Sequence, residues 1–231
     1  MTKPKNIVFD LDDTLVKTTA HYINTEQYFA DLFGGFNIPR EEILELIKIA
    51  DLKLLEEFKY GYHWYQQGLE SVYDVLSKKY SIFIKNLKEK LNEKIKYEFQ
   101  ESPVELWDDS AGILKYFKNK GYNLFVMTLG EFNIQMDKII RADIKNFFNK
   151  IFIVSKKDDA DFQNLIEQTG LVPSKSYFVG NSIVSDMIPA RKAGFNCVLY
   201  DKHTTFYGLQ VDIPEGINVI SDLSELKKII V

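Results

Sequence analysis

The stretch KNIVFDLDDTL, residues 5–15, decides how the rest of the chain is read. Ile7, Val8 and Phe9 make a short β-branched and aromatic run that ends abruptly in acids. That composition predicts a buried strand from Lys5 to Asp10. Asp10 and Asp12 stand two residues apart. At a strand end this spacing turns both carboxylates toward the same side.

The chain beyond this strand has two textures. From Thr18 to Gln100 it is helical in character. Apolar residues recur at helical spacing through Ile43, Leu44 and Ile47, through Leu54, Leu55 and Phe58, and again through Ile84, Leu87, Leu91 and Ile95. Pro39 sits where a helix would begin. From Pro103 the pattern alternates. It predicts a helix at Ser110 to Asn119 stopped by Gly121, a strand at Asn123 to Met127, and a helix near Asn133 to Arg141. A strand at Ile151 to Val154, a helix at Asp159 to Gln168 and a strand at Tyr177 to Val179 follow. A helix at Val184 to Ala193 and strands at Asn196 to Tyr200 and Asn218 to Ile220 precede a last helix. Strands alternating with helices imply an α/β fold, a doubly wound parallel sheet covered on both faces. The first strand belongs to that sheet, so the helical block is an insertion. The expected division is a Rossmann-like core of residues 1–17 and 103–231, and an all-helical domain of residues 18–102.

Ligands of open parallel sheets bind at the carboxyl ends of the strands. Four such ends carry reactive groups here. Asp10 and Asp12 follow the first strand. Thr128, Leu129 and Gly130 follow the second, a hydroxyl and then backbone N–H groups that can hold phosphate oxygens. Ser155-Lys156-Lys157-Asp158 follows the third and offers two ammonium groups. Gly180-Asn181-Ser182 follows the fourth, with Asp186 about a turn beyond. Several carboxylates together call for a cation, and hard oxygen ligands with few histidines suit Mg²⁺. One carboxylate could attack phosphorus, while Thr128 and a lysine hold the transferring group. Taken alone, the acid pair would cap a turn, Thr128 would cap a helix and the lysines would be a solvated charge run. Their ordered occurrence at successive strand ends is what favours chemistry. Asp13 is expected to cap the following turn and Thr14 to support the loop.

These segments resemble the haloacid dehalogenase superfamily. DLDDTL resembles its DxDxT signature, VMTLG its second motif, Lys156-Lys157 the place of its third-motif lysine, and VGNSIVSDMIPARKAG its acidic fourth motif. The insertion falls where that family carries a helical cap. The resemblance implies a magnesium-dependent phosphatase working through an aspartyl-phosphate. Asp10 would be nucleophile and magnesium ligand. Asp12 would be general acid and then base, with its carbonyl on the metal. Thr128 and Leu129 would bind phosphate. Lys157, or else Lys156, would be the catalytic lysine, and Asp186 would complete the metal shell. One position departs: the commonest fourth motif has aspartate where Asn181 stands; its amide oxygen would still ligate the metal or orient a metal-bound water, but the site would carry one anion fewer. A phosphomutase, a 2-haloacid dehalogenase and a non-catalytic binding module are the alternatives. A dehalogenase would not need Asp12, because halide leaves without a proton.

The remaining sequence bounds the function. In 231 residues, 29 basic side chains face 33 acidic ones for a formal net charge of −4, which argues against a nucleic-acid partner. The expected partner is a small phosphorylated molecule. The lone Cys197 rules out an internal disulfide and a cysteine-rich zinc site; it is expected in the core. No apolar run approaches the ~18 residues of a membrane span, and the N-terminus lacks a signal-peptide pattern. A cytoplasmic protein, monomeric or homodimeric, is expected. His21, His63 and His203 show no ligand spacing, and His203 is expected to face solvent. The aromatic segment Lys59 to Tyr65 is either core between helices or a wall facing the substrate.

Overall fold

The computed structural model describes residues 5–57, 61–201 and 212–230. It divides the chain into two units, Met1–Thr18 with Val104–Val231, and Thr19–Pro103. Strand β1 (Asn6–Phe9) opens the first unit. The second unit is helical: α1 (Thr19–Asp31), α2 (Arg40–Glu56), α3 (Tyr62–Tyr80) and α4 (Leu87–Lys96), which runs on into a π-helical turn, Tyr97–Glu101. The chain then returns through α5 (Ser110–Asn119), β2 (Asn123–Leu129), α6 (Phe132–Arg141) and β3 (Lys150–Val154). It ends with α7 (Asp159–Thr169), β4 (Ser176–Gly180), α8 (Ile188–Lys192), β5 (Asn196–Tyr200), β6 (Asn218–Ile220) and α9 (Leu226–Ile229).

Among the described residues the six strands form one sheet in the order β3-β2-β1-β4-β5-β6. Every neighbouring pair is parallel. Alternation along the strands builds a core on each face. Ile7, Phe9, Leu124 and Val126 pack with Ile113, Leu114 and Phe117 of α5 and with Leu226 of α9. Val8, Phe125, Met127 and Phe178 pack on the other face with Phe162 and Leu165 of α7 and Ala190 of α8. Cys197 lies in this second cluster, as expected of it. From β1 the chain winds outward through β2 and β3, then crosses back to β4 and winds the other way. The ends of β1 and β4 therefore flank the point where winding reverses, where open sheets leave a crevice.

The helical unit has its own core. Phe29, Phe33, Ile43, Ile47, Leu69, Leu76, Leu91 and Ile95 are buried against one another. Of the aromatic segment, Tyr65 is core, edge-on to Tyr22 with ring centroids 5.0 Å apart, and Tyr62 packs against the same cluster. Phe58, Lys59, Tyr60 and His203 lie outside the described residues.

Two elements differ from the sequence reading. Strand β2 continues through Thr128 and Leu129, because both pair with β3, Thr128 with Ile153 and Leu129 with Val154. The helix expected from Val184 begins instead as a π-helical turn, Ile183–Met187, and becomes α-helical at Ile188. Pro189 has no N–H to donate four residues back, and the ladder widens just before it: the N–H of Ile188 reaches Ile183 O, five residues away.

Candidate active site

Strand β1 delivers Asp10 to the reversal point. Its N–H continues the ladder by donating to Val179 O at 2.8 Å, and its side chain is buried. Lys157 donates to Asp10 Oδ1 at 2.6 Å, and Thr14 Oγ1 donates to Oδ2 at 3.1 Å. Lys157 donates also to Asp186 Oδ1 at 2.5 Å. One buried ammonium thus faces two buried carboxylates. The protonation balance reflects the shortage of positive charge. Burial, reinforced by Asp186 and Asp12, pushes the Asp10 carboxyl well above the usual carboxylate range, against the pull of Lys157. Burial opposes charge on Lys157 too, but Asp10 and Asp186 outweigh it and hold the ammonium more firmly protonated than an ordinary lysine.

The backbone turns only one of the two lysines toward Asp10. Lys157 has φ 57°, in the left-handed region, and its side chain is buried, whereas Lys156 is exposed. A non-glycine residue occupies this region at a cost of about 1–2 kcal/mol. Here the reversal turns Lys157 inward and leaves Asp158 to cap α7, accepting from the N–H of Ala160 at 3.0 Å and of Asp161 at 3.2 Å.

Strand β4 ends at Gly180, and the π-helical turn carries Asp186 back over it. Asp186 Oδ2 accepts from the Ser182 N–H at 3.0 Å. A Cβ at Gly180 would lie 2.5 Å from Asp186 Oδ2, so glycine is required for this approach. Gly180→Ala is expected to destabilise the protein by about 1–3 kcal/mol, the cost of overpacking. Thermal melting checks it; an unchanged melting temperature would mean that Asp186 moves aside freely. Asn181 Oδ1 lies 3.4 Å from Thr14 Oγ1, so Thr14 joins the β1 and β4 loops. Asp13 accepts from the Thr18 N–H at 2.9 Å, a backbone donor in the turn that follows it, in keeping with the capping role expected of it.

Asp12 has different surroundings. Its Oδ1 accepts from Lys138 Nζ at 2.5 Å and from Thr18 Oγ1 at 2.6 Å, and its Oδ2 accepts from Gln135 Nε2 at 2.7 Å. Burial would raise its carboxyl, but Lys138 and these donors prevail and hold it below the usual range. Gln135 Nε2 also lies 2.8 Å from Thr128 Oγ1 and 2.7 Å from Leu129 O. Sequence reasoning missed Gln135 and Lys138. The structure buries Gln135 and Lys138 on α6 beside Ile139 while Phe132 and Ile140 face solvent, an inversion that the apolar periodicity of the helix does not announce.

Asp10, Asp186 and the Asn181 amide are hard oxygen donors of the kind magnesium takes. Among the described residues no three carboxylate, histidine or cysteine side chains are arranged to hold a metal ion. Two carboxylates, Asp10 and Asp186, and the neutral Asn181 amide are the side-chain oxygens that could hold such an ion. Negative charge in excess of the single lysine fits a divalent cation.

A doubly wound sheet with buried acids at its reversal point and a lysine beside them defines an α/β protein that gathers its reactive side chains at its strand ends. The sequence matches the haloacid dehalogenase-like hydrolases over residues 7–200, and the chain belongs to that family. It is 25% identical over 235 residues to a glyceraldehyde 3-phosphate phosphatase of Methanothermobacter thermautotrophicus, covering 98% of this chain and 99% of that one. Among solved structures, a haloacid dehalogenase-like hydrolase of Xanthomonas campestris superposes with a TM-score of 0.80 at 19% identity, covering 98% of this chain and 90% of that one. The HAD-hydrolase YfnB of Bacillus subtilis, solved bound to magnesium, gives 0.72 at 20% identity, covering 99% of each. No helix among the described residues is long and apolar enough to cross a membrane.

Proposed function

We propose that this protein is a phosphomonoesterase acting on a small phosphorylated metabolite through an aspartyl-phosphate on Asp10. The observation that carries the reading is the buried Asp10 carboxylate, flanked by Lys157 at 2.6 Å, with Asp12 two residues on. An Asp10 oxygen attacks phosphorus and the ester P–O bond breaks, leaving an alkoxide. The alkoxide takes a proton through Asp12. A phosphate monoester, with its second pKa near ~6, can bring that proton as its monoanion. Asp12 then accepts a proton from water as the water attacks the phosphorylated Asp10, which frees orthophosphate and restores the carboxylate. Thr128, with the N–H groups around Leu129, holds the phosphoryl oxygens, and Lys157 offsets their charge. Magnesium would be held by Asp10, Asp186, the carbonyl of Asp12 and Asn181, directly or through water; when bound it supplies positive charge against the phosphoryl group. Residues 18–102 are assigned the role of the cap that selects the substrate.

Support for the substrate class comes from the archaeal relative, a phosphatase of a three-carbon phosphate ester. The test is phosphate release from a panel of small monoesters, glyceraldehyde 3-phosphate among them, with magnesium and with chelator, beside halide release from a 2-haloacid. Magnesium-dependent phosphate release is expected. Halide release without metal and no phosphate release from any ester would replace this reading with a dehalogenase.

A further inference from the structure

We propose that Gln135 and Lys138 are positioning residues for Asp12, a clamp that holds the acid–base carboxylate in register with the phosphate-holding hydroxyl of Thr128. The inference rests on the phosphomonoesterase reading of the site. Both side chains leave α6 on the same face, three residues apart, and both residues are nearly fully buried, Gln135 at 3% and Lys138 at 6% exposure. A buried ammonium is costly unless it is paired, and Lys138 is paired with Asp12. Stability alone gives no reason for it, because a well-packed apolar residue of similar size serves a core as well or better.

The arrangement instead fixes orientation. Asp12 remains partly open to solvent, its side chain 31% exposed, so packing alone does not set its rotamer. Lys138 holds one carboxylate oxygen and Gln135 the other. The same Gln135 nitrogen lies within hydrogen-bond distance of Thr128 Oγ1 and Leu129 O. The end of β2 and the loop after β1 are thereby tied through one amide. Gly130 belongs to the same device: a Cβ there would come 3.1 Å from Gln135 Cγ. Proton transfer demands hydrogen-bond geometry between acid and leaving oxygen; without the clamp Asp12 keeps the Thr18 hydroxyl on Oδ1 at 2.6 Å but loses the donor on Oδ2.

The experiment compares wild type, Lys138→Met, Lys138→Arg, Asp12→Asn and the Lys138→Met/Asp12→Asn double variant on an alkyl phosphate and on p-nitrophenyl phosphate. Because a general acid matters most for a basic leaving group, Lys138→Met is expected to lower kcat roughly 10–100-fold on the alkyl ester and less than about threefold on the aryl ester. KM should hold within about threefold, since the lost group orients Asp12 rather than binding substrate. In the Asp12→Asn background the same change should cost less than about twofold. Lys138→Arg, which keeps a donor to Asp12, should recover part of the loss. Equal losses on both esters, additive losses in the double variant, or a change confined to KM would overturn the clamp and place Lys138 on the substrate itself. Should Lys138→Met fail to fold, Gln135→Met carries the same comparisons. A readout independent of turnover is the NMR side-chain amide resonance of Gln135. It is expected to shift and exchange faster in Asp12→Ala; an unchanged resonance overturns the clamp. Wild type that releases phosphate from neither ester overturns the phosphomonoesterase reading, and the Gln135 resonance then still decides whether the clamp exists.

Discussion

Asp10→Asn is expected to lower turnover more than ~10³-fold, about 4 kcal/mol of barrier, and to leave the protein at least as stable as wild type. The two halves of this expectation come from different parts of the site. An amide of the same shape cannot attack phosphorus, so the covalent route closes. In the folded protein, however, Asp10 is a buried acid whose charge is opposed by burial and by Asp186. Making it neutral removes that opposition, and Lys157 keeps Asp186 as its partner. Phosphate release and thermal melting, measured on one preparation, check both halves. Wild-type turnover in a normally folded Asp10→Asn would remove Asp10 as the nucleophile. A large drop in melting temperature would mean that the Asp10–Lys157 pair stabilises more than burial of the charge costs.

Lys157→Ala should do the reverse on stability and the same on activity. Removing the ammonium leaves the Asp10 and Asp186 carboxylates buried and facing the space it filled. Breaking a buried ion pair from one side typically costs about 3–5 kcal/mol. Turnover should fall by at least ~10²-fold, the scale seen when one group stabilising transition-state charge is lost. Lys156→Ala, at an exposed side chain, should stay within ±0.5 kcal/mol of wild type and keep its activity. Chemical denaturation and phosphate release on the pair give the comparison. The opposite ranking would hand the role to Lys156, and equal effects would deny either lysine a special place.

Much of this site could be read along the chain because its residues sit at strand ends. Abrupt strand endings place Asp10 and the lysine pair without knowledge of the third dimension, and Asp186 is expected about a turn beyond the fourth strand. The left-handed turn at Lys157 could not be seen that way, since lysine carries no preference for positive φ; only the pairing with Asp10 and Asp186 explains it. Gln135 and Lys138 were hidden for a different reason. They lie in the middle of a helix, where glutamine and lysine are ordinary surface residues, and their burial follows from α6 lying beside the strand ends. The extension of β2 through Thr128 was missed because a threonine–leucine–glycine string reads as a turn, and only pairing with Ile153 and Val154 makes it strand. The π-helical turn before Pro189 was equally silent, although the proline was a hint that the ladder could not run on unchanged.

The place of β1 in the sheet has a consequence for how the chain is made. This strand is synthesised before the helical unit, and its partners come after that unit. Asn6 pairs with Asn123 on one side and with Ser176 on the other. Until residue 123 has been synthesised, β1 has neither neighbour. The segment from Thr19 to Pro103 has a buried cluster of its own, from Phe29 to Phe99. The helical unit is therefore able to condense first, and by doing so it shortens the loop that β1 must close to meet β2. A chain truncated near residue 110 and released should hold folded helices and an unpaired Ile7-Val8-Phe9 strand, the segment most in need of a chaperone.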